Sequence, residues 1–205
     1  MIAIIDYKAG NLTSVQRALS HIGIPSVITD NPEDIFSSEK VIFPGVGAAG
    51  SAMEVIKTQR LDRVIHEVIG NGTPFLGICL GAQVILDTSE EDDTSCLGII
   101  PGIARKFPIT RLKIPHTGWN SLRMTRSHPV FHDVDPRDQF YFVHSYYPET
   151  RRDEHIIAYT DYGIEFASVI GNGNVIATQF HLEKSGVSGL KILENFCTWN
   201  GRIDD

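Results

Sequence analysis

Cysteine is scarce in this chain of 205 residues, which has three, Cys79, Cys96 and Cys197. No two of them stand in a C-x-x-C spacing. Such a set argues against a disulfide framework or a thiolate zinc site and suits a reducing compartment. Long hydrophobic runs are missing too. The apolar opening Met1–Ile5 meets Asp6 and Lys8 at once, too soon for a signal-peptide core or a membrane span. The chain is therefore expected to be cytoplasmic, with no membrane partner. Basic residues gather into no stripe, and 18 of them against 25 acidic ones leave a net charge of −7. A nucleic-acid partner is not expected on that balance. Internal repeats, low-complexity tracts and linkers are also absent, so 1–205 reads as a single domain large enough to bury a core.

What is present in the first half is alternation. Ile2–Ile5 reads as a strand, followed by a turn at Lys8-Ala9-Gly10. Asn11 stands where it can cap a helix whose Val15, Ala18, Leu19 and Ile22 share a face. Val27-Ile28 and Val41-Ile42-Phe43 are further strands, and Leu61, Val64, Ile65 and Val68 form another helical face. Phe75–Ile78 is the next strand, with helix-compatible residues from Leu80 to Leu86 directly behind it. Strands separated by helices predict an α/β fold with an open, mainly parallel sheet flanked by helices. Ligands of such sheets sit beyond the carboxyl ends of the strands, where Pro44-Gly45-Val46-Gly47 and Cys79 both fall. The second half is strand-rich: Phe140–Tyr147, Ile156–Tyr159, and two segments flanking the hairpin turn Gly171-Asn172-Gly173-Asn174. Val187, Leu190, Leu193 and Cys197 mark a closing helix, and polar Ser89–Ser95 reads as a surface loop.

Gly77-Ile78-Cys79-Leu80-Gly81 has the G-x-nucleophile-x-G form between a strand and a helix. A sharp turn there lifts the nucleophile clear of the sheet, and the small flanking residues let neighbouring elements approach. The helix start favours thiolate over thiol, and the amide of Leu80 is placed to face an oxyanion. Taken alone, the elbow is equally compatible with a buried cysteine in a βα turn. Gln179-Phe180-His181-Leu182-Glu183 supplies a base and its orienter. In an extended segment His181 and Glu183 share a face, so Glu183 can take one ring N–H of His181 and leave the other nitrogen toward Cys79. The glycines of Pro44–Gly47 permit backbone N–H groups to aim at a ligand, which makes Gly45, Val46 and Gly47 candidate oxyanion donors beside Leu80.

These segments together resemble the class I glutamine amidotransferases, glutaminases with a cysteine-histidine-glutamate triad. The residues that carry the resemblance are PGVG at Pro44–Gly47, GICLGAQ at Gly77–Gln83 and QFHLEKS at Gln179–Ser185. IIDYKAGNL at Ile4–Leu12, PHTGWN at Pro115–Asn120 and YFVHSY at Tyr141–Tyr146 narrow it to glutaminase subunits that serve imidazole glycerol phosphate synthases. The resemblance implies hydrolysis of L-glutamine to glutamate and ammonia, with Cys79 as nucleophile, His181 as base and Glu183 as its orienter, and no metal or cofactor. It also implies a glutamine pocket lined by Gly47, Gln83, His144, Ser145 and Tyr146. A partner face at Asn11, Trp119, Tyr141 and Lys184 would meet a separate cyclase subunit in a heterodimer, because six residues after Trp199 leave no room for a fused barrel.

Two positions depart from the pattern. Leu182 replaces a proline common between the catalytic His and Glu, which removes a fixed φ. Lys8 stands where glycine is frequent, near the expected partner face. Competing readings are the glutaminase of anthranilate or pyridoxal-phosphate synthesis, a catalytically dead scaffold, and a peptidase on a similar elbow. PHTGWN and YFVHSY disfavour the first, the intact triad the second, and PGVG with Gln83 the third.

Overall fold

A computed structural model describes residues 1–8, 10–108 and 112–203. Ala9, the middle of the expected Lys8–Gly10 turn, lies outside the described residues. In chain order the first strands and helices are β1 (Ile2–Ile5), α1 (Leu12–His21), β2 (Ser26–Thr29), α2 (Pro32–Phe36) and β3 (Lys40–Gly45). Next come α3 (Ala49–Thr58), α4 (Leu61–Gly70), β4 (Phe75–Cys79) and α5 (Leu80–Val84). The strand-rich half holds β5 (Thr88–Ser89), β6 (Thr94–Ser95), β7 (Gly102–Lys106), β8 (His116–Ser121), β9 (Arg123–Met124) and β10 (Gln139–His144). It ends with β11 (Tyr146–Thr150), β12 (Ile156–Asp161), β13 (Glu165–Asn172), β14 (Val175–Thr178) and α6 (Gly186–Thr198).

The main sheet has eight strands in the order β2-β1-β3-β4-β14-β13-β12-β9. The run from β2 to β14 is parallel, and β13, β12 and β9 join antiparallel. This is the expected open, mainly parallel sheet with helices on its faces. Its central strands β1, β4 and β14 are buried at every residue because both faces are covered there. In β1, Ala3 and Ile5 face a core completed by Met53 and Ile56 of α3 and Leu61, Ile65 and Val68 of α4. Ile2 and Ile4 face the other core, with Val15 and Leu19 of α1 and Ile192, Leu193 and Phe196 of α6. Chain order reverses between β1 and β3, and a crevice opens beyond the carboxyl ends of strands at such a switch point. Gly45 and Cys79 end β3 and β4 there, paired with each other in register.

Smaller sheets wall the crevice: β10 pairs with β8, and β11-β7-β5-β6 form a four-stranded sheet. Two expectations change here. Ser89–Ser95 is not a plain surface loop; Thr88–Ser89 and Thr94–Ser95 pair around a 3-10 turn at Glu91–Asp93. The Phe140–Tyr147 segment is two strands with different partners, divided at Ser145. Among the described residues, no helix is long and apolar enough to cross a membrane.

Candidate active site

Cys79 closes β4 with φ +55° and ψ −103°, a conformation side chains rarely adopt, and α5 starts at the next residue. Packing holds it there. A Cβ on Gly81 would lie 2.1 Å from the carbonyl oxygen of Phe43, so a glycine is what lets α5 lie against β3. The helix itself is shorter than expected, ending at Val84.

His181 and Glu183 meet, but not as neighbours on a strand. β14 ends at Thr178, His181 makes a single antiparallel bridge to Tyr141, and Leu182–Lys184 turns into a 3-10 helix. The turn swings Glu183 back, so that His181 Nδ1 lies 2.7 Å from Glu183 Oε1 with both side chains fully buried. Leu182 is the first residue of that turn, where an amide has no intrahelical acceptor, so leucine fits the position as well as a proline would. Its side chain is buried in the core instead.

Burial alone would push the His181 pKa down; interaction with Cys79 and Glu183 outweighs it and raises the value to about 9. Burial likewise works to raise the Glu183 pKa, but His181 and Asn11 hold the carboxyl below its usual range. His181 Nε2 has no partner with hydrogen-bond geometry among the described residues. Cys79 is close enough to be one of the groups that raise the His181 pKa. The thiol itself has Gln179 Nε2 at 3.7 Å and the Val143 carbonyl oxygen at 4.0 Å.

A cavity of about 320 Å³ opens above Cys79. All five residues expected in the pocket, Gly47, Gln83, His144, Ser145 and Tyr146, line it, as do Val46 and Leu80 of the four candidate oxyanion donors. Gly47 has φ +106°, available to glycine without strain. Gly45 does not reach the cavity. It is buried, and a Cβ on it would fall 1.7 Å from the Tyr7 hydroxyl, so its glycine serves close packing. That hydroxyl has no hydrogen-bond partner among the described residues, and burial, with Cys79 adding to it, raises its pKa.

His144 does more than line the wall. Its Nδ1 lies 2.8 Å from the Tyr146 carbonyl and must donate to it, so Nε2 accepts from His116 Nδ1 at 3.0 Å. Both rings are then neutral, and burial lowers the His116 pKa to about 4 and that of His144 to about 3. Sequence reading found PHTGWN but not this pairing, which depends on the β8–β10 register. It also missed Glu91, the acidic residue in the cavity lining, whose Oε2 accepts the Ala49 amide at 2.7 Å. Only its acidic neighbourhood was visible in the sequence, and that suggested a solvated loop.

The four expected partner-face residues divide. Trp119 is 53% exposed and meets Tyr141 edge-on at 6.0 Å, and Lys184 Nζ lies 6.0 Å from the Tyr141 ring. Asn11 sits at the start of α1 with φ +76° but makes no side-chain cap. It donates instead to Glu183 Oε1 at 2.5 Å, so the expected helix cap is a support for the acid. Lys8 adopts φ +64°, where glycine is at ease, and its ammonium pairs with Asp6 at 3.3 Å and Asp30 at 3.0 Å.

Residues 3–199 match the family described as Glutamine amidotransferase class-I. The chain is 49% identical to "Imidazole glycerol phosphate synthase subunit HisH" of Nitratidesulfovibrio vulgaris (strain DSM 19637 / Miyazaki F), over 96% of this chain and 95% of that protein. It is 45% identical to the like-named protein of Maridesulfovibrio salexigens, over the full length of both. Among solved structures, a glutamine amidotransferase superposes with a TM-score of 0.73 at 16% identity, covering 98% of this chain and 100% of that one. PurLQS from Thermotoga maritima superposes with a TM-score of 0.74 at 16% identity, over 96% of this chain and 97% of that one. At that identity the superpositions speak for the fold alone. With the family matched over nearly its whole length, the chain belongs to the class I glutamine amidotransferases.

Proposed function

We propose that this chain, acting as one domain over 1–205, is the cytoplasmic glutaminase subunit of an imidazole glycerol phosphate synthase. The observation that carries the reading is the buried His181–Glu183 pair, 2.7 Å apart, whose imidazole interacts with a cysteine held at φ +55° beneath a cavity. His181, whose pKa of about 9 keeps it protonated at neutral pH, holds the proton on Nε2 while the Cys79 sulfur attacks the side-chain amide carbon of L-glutamine. The resulting oxyanion is met by backbone N–H groups of Val46, Gly47 and Leu80. His181 gives that proton to the leaving nitrogen, and ammonia departs from a glutamyl thioester. Water, relieved of a proton by His181, then opens the thioester to glutamate and leaves the sulfur beside protonated His181. Glu183 holds Nδ1–H throughout and stabilises the imidazolium. Glu91 gives the cavity a carboxylate suited to the substrate's α-ammonium group.

Ammonia is delivered to a cyclase subunit that makes imidazole glycerol phosphate and an aminoimidazole carboxamide ribonucleotide in histidine biosynthesis. Exposed Trp119, with Tyr141 and Lys184 beside it, suits the docking face of that heterodimer. The test is a reconstituted assay with the cognate cyclase and its nucleotide ligand, supplied with either glutamine or ammonium. Product from ammonium without this chain, but from glutamine only with it, supports the assignment. Glutamine-dependent turnover surviving Cys79→Ala would reject the nucleophile.

A further inference from the structure

Gln179 is fully buried one residue beyond β14, between the Gln83 side chain and Cys79, and the steps above leave it without a task. Its amide orientation follows from chemistry. The carbonyl oxygen of Tyr146 can only accept, so the Gln83 atom 3.1 Å from it is the donor Nε2. That nitrogen also lies 3.2 Å from the Gln179 side chain, which must present Oε1 to it. The other end of Gln179 is therefore Nε2, and it lies 3.7 Å from the Cys79 sulfur. A backbone carbonyl two side chains away thus determines that the nucleophile faces a donor. His144 anchors the same carbonyl from the other side at 2.8 Å.

We infer that Gln179 is a positioning residue of this site: its carboxamide donates a hydrogen bond to the Cys79 sulfur and holds the Gln83 amide in one orientation. The inference rests on Cys79 being the nucleophile, as proposed above. An N–H donor binds a thiolate more strongly than a thiol, so it favours the reactive form. The stabilised thiolate is the attacking group when the thioester forms and the leaving group when water opens it. The second consequence concerns Gln83. Its Nε2 hydrogens are taken by Tyr146 and Gln179, which leaves Oε1 as its group for the cavity. An acceptor at that position selects a ligand that brings N–H, as glutamine does.

The test is alkylation of the full-length chain by iodoacetamide across pH, with the modified residue located by peptide mass. Gln179→Met keeps the length of the side chain and removes the donor. It is expected to slow modification of Cys79 about tenfold at neutral pH, the worth of one hydrogen bond to a charged group. The deficit is expected to close in alkaline solution, where the thiol ionises without help. Gln83→Met frees the Gln179 amide to turn and should slow alkylation by a smaller factor. In the complex with liganded cyclase, Gln179→Met should also raise KM for glutamine several-fold. Unchanged alkylation in both variants, or a deficit that persists undiminished in alkali, overturns the inference. Wild-type labelling at Cys96 or Cys197 in place of Cys79, or hydrolysis surviving Cys79→Ala, rejects the underlying nucleophile instead.

Discussion

The amide of Asn11 and the imidazole of His181 converge on one oxygen, Oε1 of Glu183, at 2.5 Å and 2.7 Å. A residue expected to meet the partner thereby also secures the carboxylate that orients the base. The other carboxylate oxygen is buried and has no partner among the described residues, so Oε1 carries both bonds.

Asn11→Gly keeps the left-handed backbone and deletes the donor. Glutaminase kcat in the complex is expected to fall about tenfold, the worth of a charge-assisted hydrogen bond. Asn11→Asp is expected to be worse, because two carboxylates then meet in a buried site. Steady-state turnover equal to wild type in both variants would remove Asn11 from the support of Glu183.

Strain at Cys79 has a thermodynamic signature. Glycine ordinarily costs stability relative to alanine, but φ +55° with ψ −103° favours it. Both Cys79→Ala and Cys79→Gly should lack glutaminase activity, and the glycine variant should be the more stable by about 1 kcal/mol. Urea unfolding of the two proteins measures the difference, and alanine emerging as the more stable would show that the elbow is unstrained.

Gly45 and Tyr7 are predicted to be coupled. Gly45→Ala drives a Cβ into the Tyr7 hydroxyl and should cost about 2 kcal/mol, typical of overpacking. Tyr7→Phe removes the oxygen that is struck and should recover part of that loss. A double-mutant cycle with no interaction energy would show that the clash is relieved elsewhere.

The parallel sheet, helices α1, α4, α5 and α6 and the hairpin at Gly173-Asn174 were legible because each rests on local apolar periodicity and turn chemistry; α2 and α3 were not marked. The elbow was legible for a similar reason, since its glycines mark a close approach that the Gly81–Phe43 contact realises. The relation of His181 to Glu183 was read in the right residues but the wrong conformation. A two-residue spacing fits a strand face, and nothing local announces that the chain leaves the strand at Thr178 and turns into a 3-10 helix. Glu91, Gln179 and the His116–His144 pair escaped because their partners are far away in sequence. A buried hydrogen-bond partner across such a separation leaves no periodic trace.

Glu91 is predicted to act in binding more than in chemistry. Glu91→Gln keeps an acceptor for the Ala49 amide but removes the charge facing the cavity. KM for glutamine should rise about tenfold, consistent with losing a charge-assisted bond to the substrate ammonium, with a smaller change in kcat. Initial-rate kinetics decide it, and an unchanged KM would place the α-ammonium elsewhere.

Stability should decline on both sides of neutrality. Burial holds His144 at about 3 and His116 at about 4; for His128, burial with Arg126 does the same, at about 4. These lie below the unfolded value of about 6.5, so the unfolded chain binds more protons in acid. Their contribution is present above pH ~6.5 and is lost as pH falls toward the folded values. His181 works the other way: raised to about 9, it contributes below its unfolded value and loses that contribution as pH rises through about 9. Thermal melts across pH should trace both limbs. His128→Asn, which keeps a side-chain acceptor for the Val130 amide, should flatten the acid limb, and an equally steep limb would rule out His128 as a contributor.

Exposure of Trp119 gives the chain a built-in optical reporter. The sequence has two tryptophans, and Trp199 is 4% exposed against α6 while Trp119 is 53% exposed beside Tyr141. Emission from a solvated indole lies to the red of emission from a buried one, so the two contributions separate by wavelength. A subunit docking on the Trp119 face would shift the red component to the blue and leave the Trp199 signal in place. Assembly could thus be followed in unlabelled protein from a residue paired with Tyr141, which bridges the candidate catalytic histidine.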